Sequence, residues 1–171
     1  MSISPAIRRR LEIRGISVSD DAEFTRLVPW MRTTFVLCAA LIAIGTALAF
    51  TPLLWAMVPI AALGAALPVH PFDLIYNYGI RRFTHTRRLP SNGAPTRFSC
   101  AVAGLWIAGT ALAFTAGIPW LGYTLGGLLT VVGGIVSVTH FCIPSAIYQI
   151  ITGNGAIVPA ALPRRRSGQP A

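Results

Sequence analysis

The sequence contains no lysine: all 14 basic residues are arginine. Acidic residues are also scarce, five in 171. Charged residues make up 11% of the chain, against about 25% in a soluble domain. Beside 54% hydrophobic residues, that scarcity excludes a soluble globular domain, because a chain of this length could not hide so much apolar surface from water. Lipid must be the solvent for most of it. Cysteine is sparse too. Cys38, Cys100 and Cys142 are odd in number, and their spacing matches no zinc or disulfide framework. Catalytic signatures are missing: there are no paired carboxylates, no phosphate-cradling glycine loop and no His-Glu-x-x-His.

What is present is four apolar runs, at about 33–50, 53–69, 98–118 and 120–141. None contains Asp, Glu, Lys or Arg. Each is near the roughly 20 residues that cross a bilayer core as a helix. Thr51-Pro52 joins the first two runs, and little more than Pro119 joins the last two. Trp55, Trp120 and Tyr123 lie near these uncharged turns, at the depth where aromatic rings mark the lipid–water interface. The predicted fold is therefore an all-α membrane protein. Four transmembrane helices form two tandem hairpins, with short cytoplasmic interfacial helices beside them. The transmembrane domain spans residues 29–155.

The net charge of +9 raises nucleic acid as a partner, but its distribution argues against it. Every arginine lies before, between or after the apolar runs. The positive-inside rule then places both termini and the central connection in the cytoplasm, as in a multi-pass protein of a bacterial inner membrane. The expected partners are a bilayer with anionic head groups at the cytoplasmic face and other membrane-protein subunits, not nucleic acid.

Residues 1–28 read as a basic cytoplasmic segment. Ser4-Pro5 can start a helix, and Ile3, Ile7 and Leu11 recur every four residues among arginines. Both a helix on an anionic surface and a flexible tail fit. Asp20 and Glu23 read as a second helix start. Between the hairpins, Phe72, Ile75, Tyr76, Ile80 and Phe83 share one face of an amphipathic helix at about 71–83, opened by Pro71. A similar short helix is expected over Pro144–Thr152, ended by Gly153. Residues 156–171 read as a basic flexible tail.

The two halves echo each other. Gly45-Thr-Ala-Leu-Ala-Phe-Thr51 recurs letter for letter as Gly109-Thr-Ala-Leu-Ala-Phe-Thr115. Arg32 and Arg97 precede the copies at similar distances, and both hairpins end in a His, a Pro and Ile-Tyr. A parallel internal repeat accounts for all three, as does chance in low-complexity apolar sequence. Gly126/Gly127 and Gly133/Gly134 are seven apart on the fourth run, a face suited to close helix packing.

Counting depth from the arginines places Cys38, Cys100, Cys142, His70 and His140 in one cytoplasmic-side layer, with Asp73 beside them. Polar groups at that depth point to function. Cys142, His140, His70 and Cys100 are the candidate metal ligands, for zinc, copper or haem iron. The plainer reading is that the cysteines pack as small apolar residues and the histidines reach water or a carbonyl. The residues define no catalytic set and call for no particular cofactor.

Two short motifs add a resemblance. Pro95-Thr-Arg97-Phe98 opens the third run, and Phe141-Cys142-Ile-Pro-Ser145-Ala-Ile-Tyr148 closes the fourth. The chain resembles a bacterial family of small four-span membrane domains of unknown function. That family carries Pro-x-Arg-Phe and a terminal Phe-Cys-x-x-Cys-x-x-Tyr. Ser145 stands where the family has its second Cys. The family's cysteine pair implies thiol redox or metal binding. Here Cys142 would need another thiol, such as Cys100.

Three functions remain open on this basis. One is a non-catalytic accessory or assembly subunit of a larger membrane complex, respiratory or photosynthetic. Another is a thiol-redox or metal- or haem-binding membrane protein using Cys142 and nearby His. The third, a small-solute transporter, is disfavoured by spans without charge.

Overall fold

No peptide group can be left unpaired in lipid, so apolar runs of this length must close their hydrogen bonds internally as helices. The computed structural model describes residues 5–16, 27, 29–84 and 88–153, and in it the runs are helical. Helix α1 is Pro5–Ile13, with its proline at the first position. A 3-10 turn, Trp30–Arg32, feeds directly into α2, Thr33–Ala47. Helix α3 is Thr51–Ala66, with Pro59 inside it. Helix α4, Pro71–Ile75, runs through a π-helical turn at Tyr76–Ile80 into α5, Arg81–Thr84. Helices α6, Ala94–Thr115, and α7, Pro119–Thr139, form the second hairpin, and α8 is Ile143–Ile151. The expected helix start at Asp20 and the tail 156–171 lie outside the described residues.

Three stretches are long and apolar enough to cross a membrane: Trp30–Ala47, Ala94–Thr115 and Pro119–Thr139. A fourth is gained if Thr51–Ala66 and Pro71–Gly79, bent by 83° at the break, count as one span. The protein is thus all-α among its described residues, with three to four candidate spans. The second apolar run extends to 69 in sequence, but its helix stops at Ala66 and Leu67 turns to extended backbone. Pro68 and Pro71 supply no amide hydrogen to continue it.

The four long helices form a ring. α2 packs on α3, α3 on α6, α6 on α7, and α7 back on α2. Ile42, Leu54, Met57, Ala61, Ile107, Ala111 and Leu129 fill the middle. Leu105, Leu112, Val131 and Val138 face outward, as lipid contact requires. The glycine face of α7 divides between two surroundings. Gly126 meets Thr46 and Gly133 meets Ala39, both on α2, while Gly127 and Gly134 face open space.

The two identical heptapeptides adopt different conformations. The first unwinds after Ala47, turns at Ala49 (φ 48), and gives its Thr51 to the start of α3. The second stays helical to Thr115, and the chain turns at Gly117 (φ 73). Glycine takes that left-handed conformation without penalty, whereas Ala49 is held there by the Phe50 amide donating to the Gly45 carbonyl at 2.8 Å.

At the arginine-bearing end, α1 lies against α8 and α8 against α6. Leu11, Ile13 and Ile16 are buried there. The apolar side of α1, expected either on a membrane surface or in a loose tail, is covered by protein at its C-terminal end.

Candidate functional site: a thiol-lined cavity at the arginine end

Helices α3 and α7 both finish at the arginine end, where their last carbonyls carry partial negative charge. Arginines from other elements meet them. Arg97, in the first turn of α6, donates from Nε to the Ala65 carbonyl and from Nη2 to the Ala66 carbonyl, each at 2.8 Å. Arg10 donates from Nη1 to the Thr139 carbonyl at 2.7 Å. Arg32, just before α2, donates from Nε to Nε2 of His140 at 2.6 Å. His140 itself caps α7 in the left-handed conformation, φ 58.

Asp73 is buried and joins three segments. One oxygen accepts from the Thr34 hydroxyl on α2 at 2.5 Å. The other accepts from the His70 amide at 3.3 Å and the Asn92 side-chain amide at 3.4 Å. His70 returns the favour: its Nδ1 accepts from the Phe72 amide at 3.3 Å. That is a capping box in which His replaces the usual Ser or Thr. Gly64 makes room for the ring, since a Cβ there would run into His70 and come within 3.3 Å of the Cys100 sulfur.

The two short motifs meet each other. Phe98 and Tyr148 are in tilted ring contact at 5.6 Å. Ser99 and Ser145 share a hydrogen bond at 2.8 Å, and both reach the Pro95 carbonyl. The Cys142 thiol donates to Ser99 Oγ at 3.2 Å. Ser145 is fully buried and bonded through Ser99 to Cys142.

Several of these groups border one cavity of about 150 Å³ within the helix ring at its arginine end. Cys38 from α2, Cys100 from α6 and Cys142 from the start of α8 all line it, as do His70, Asp73 and Ser99. Of the four candidate metal ligands, Cys100, Cys142 and His70 come to the cavity, and His140 turns to Arg32 instead. Among the described residues, no three His, Cys, Asp or Glu side chains converge as a metal-holding group. The arrangement lines the cavity with thiols and hydroxyls.

The N-terminal pattern groups Arg14 with the other arginines of a surface helix or flexible tail. Arg14 is instead buried, 3% exposed, and lines the cavity. Its guanidinium stands 4.4 Å over the Phe35 ring. Burial pushes its pKa down from the ordinary arginine value. The available signal was local: Leu11, Ile13 and Ile16 bracket it with apolar residues, unlike the other N-terminal arginines. Ser99, Thr96 and Gln149 were missed because each acts on a segment remote in sequence. Thr96 donates to the Arg14 carbonyl and Gln149 to the Ile13 carbonyl.

A pH effect follows for His140. Burial first, then Arg32, Arg14 and Arg10, push its pKa from 6.5 down to about 4. The folded protein keeps the ring neutral, as the bond from Arg32 requires, while the unfolded chain binds a proton at higher pH. Stability from this group is complete above 6.5 and declines as pH falls through that value toward 4. Thermal unfolding in detergent is expected to show a melting temperature falling across that window. His140→Asn should flatten the fall; an unchanged slope would exclude His140 as its source.

No curated protein and no solved structure matches this chain. A family model, Domain of unknown function (DUF4395), matches residues 22–152, a stretch that includes both motifs and the whole helix ring. The chain belongs to that family.

Proposed function

We propose that the protein is a four-span integral membrane protein of a bacterial inner membrane whose working part is the thiol-lined cavity, where it receives a small molecule. The observation that carries this reading is that all three cysteines, from three separate elements, line one cavity. Both termini lie in the cytoplasm on this reading, because the positive-inside rule puts the arginine-bearing segments on that side. The bent pair α3–α4 counts as one span, and α4, α5 and α8 lie along the interface. Buried thiols are poor nucleophiles toward large partners, so the chemistry available to them is with a guest small enough to enter.

An internal duplication supports the same plan. The ring of contacts maps onto itself when the two hairpins are exchanged. Arg32 reaches from the first hairpin to the end of α7, and Arg97 from the second to the end of α3. Cys142 breaks the symmetry, which is expected where a site has formed in one copy.

Thiol labelling tests the reading. A small apolar reagent, methyl methanethiosulfonate, should modify Cys38, Cys100 and Cys142 in the folded protein, while a polyethylene-glycol maleimide should reach none until denaturation. Equal reactivity toward both reagents would contradict a cavity that admits only small molecules.

A second reading is a non-catalytic accessory subunit. It is favoured by Gly127 and Gly134, seven apart on α7 with nothing beside them, which leaves a smooth stripe for another helix. Gly134→Leu would then leave the isolated protein intact but release a co-purifying membrane partner.

A further inference from the structure

Among the described residues, the cavity contains a charge without a counter-ion at hydrogen-bonding distance. Arg14 is buried, and its Nε and Nη1 have no hydrogen-bond partner. Arginine stays protonated in proteins, so relief by proton loss is closed to it. A buried guanidinium with idle donors is costly unless an anion meets it. Asp73 lines the same cavity and acts on Arg14 through space. Its oxygens are nevertheless occupied by Thr34, the His70 amide and Asn92. Arg10, Arg32 and Arg97 at the same end add further positive charge.

The guanidinium is also held in place. The Arg14 carbonyl accepts from Thr96 at 2.9 Å. Gly15 follows at φ 76, and its backbone lies so close to Gly93 that a Cβ on Gly93 would fall 2.7 Å from the Gly15 carbonyl oxygen. The Phe35 face fixes the other side of the guanidinium. Preorganisation of this kind lowers the cost of binding. Toward the helix core the cavity walls are apolar, with Ile42, Met57, Ile107 and Leu129.

We infer that Arg14 makes this cavity a binding site for a small monoanion with an apolar body, a carboxylate of ring or short-chain size. The carboxylate accepts a charge-assisted hydrogen bond from Arg14, which lines the cavity. The apolar body lies toward Met57 and Leu129. A cavity of about 150 Å³ takes a body the size of a benzene ring. Arg14 is the one arginine that lines the cavity among the described residues, and with Asp73 nearby it selects against dianions. The inference deepens the cavity reading above and rests on it for the location of the guest, but not on any reaction of the thiols.

The test uses the full chain in mild detergent, with benzoate and hexanoate as probes and benzyl alcohol and hexanol as neutral counterparts. The readouts are the melting temperature and the fluorescence of Trp106, which lines the cavity. The carboxylates should raise the melting temperature saturably and change the fluorescence, and the alcohols should do neither. Arg14→Gln should weaken benzoate at least tenfold, and Arg14→Lys should retain much of the binding. If the natural anion is a lipid, discs containing phosphatidylglycerol should compete with benzoate where phosphatidylcholine discs do not; without competition the guest is a soluble carboxylate. Equal effects of acids and alcohols would overturn the inference, even if Arg14→Gln failed to fold. So would unchanged benzoate binding in Arg14→Gln, or a thiolate absorbance in the wild type that this variant abolishes, which would make a cysteine the counter-ion. Failure of thiol labelling would leave the carboxylate effect standing, so the two readings separate.

Discussion

Replacing Asp73 by alanine is expected to lower stability by ~3 kcal/mol, because three donors lose a charged acceptor and two or more are left buried. Asp73 ties α2, through Thr34, to the start of α4 and to the loop before α6. No other side chain among the described residues bonds all three. For a chain of this length the loss corresponds to a drop of roughly 6–12 °C in melting temperature. Asp73→Asn keeps an acceptor for Thr34 but presents a donor toward the His70 amide or Asn92, so an intermediate loss is expected. Thermal unfolding in detergent, followed by tryptophan fluorescence, measures both. A shift for Asp73→Ala no larger than that for Asp73→Asn would mean that the carboxylate does not organise this end.

The second large effect is expected where α7 crosses α2. A methyl group placed on Gly126 would overlap the Thr46 side chain. Overpacking of this kind costs about 1–3 kcal/mol, and a leucine there more. Thr46 is an informative partner, because its hydroxyl is buried without a hydrogen bond. Thr46→Ala should therefore cost little by itself and should recover most of the loss caused by Gly126→Ala. A double-mutant cycle on the melting temperature reads that coupling. Gly134→Ala is the control: nothing lies beside it, so better helix propensity should leave it neutral or slightly stabilising. Additive effects at Gly126 and Thr46 would place the α2–α7 contact elsewhere.

These two sites differ in how far the sequence reveals them. The helices could be read directly, since uncharged runs near bilayer length leave lipid-exposed backbone no other choice. The glycine spacing on α7 was legible as a packing face, but not which helix fills it. That depends on ring order, which four similar apolar helices do not encode locally. The break at Leu67 was partly legible, because Pro68 and Pro71 flank it. The matching heptapeptides did not reveal their conformation: identical letters end one helix early and continue the other, with Gly117 available to turn the second copy and no counterpart near Ala49.

The candidate site was legible as a layer but not as a cavity. Counting residues from Arg32 and Arg97 brought the cysteines to one depth, and the structure gathers all three around one space. Counting could not give direction around each helix, and so could not separate His140, which serves Arg32, from His70, which reaches the cavity. Arg14 was hidden by its surroundings in sequence. A buried guanidinium and a surface one carry the same letter, and only the fold of residues 5–16 against α6 and α8 tells them apart.

The gathering of thiols is the central claim, and bridging them tests it most directly. The purified protein would be treated at low concentration with a short bifunctional methanethiosulfonate, then digested and analysed by mass spectrometry without reduction. Intramolecular bridges among Cys38, Cys100 and Cys142 are expected, with Cys100–Cys142 included. Their absence, alongside bridges between two copies of the chain, would contradict the claim.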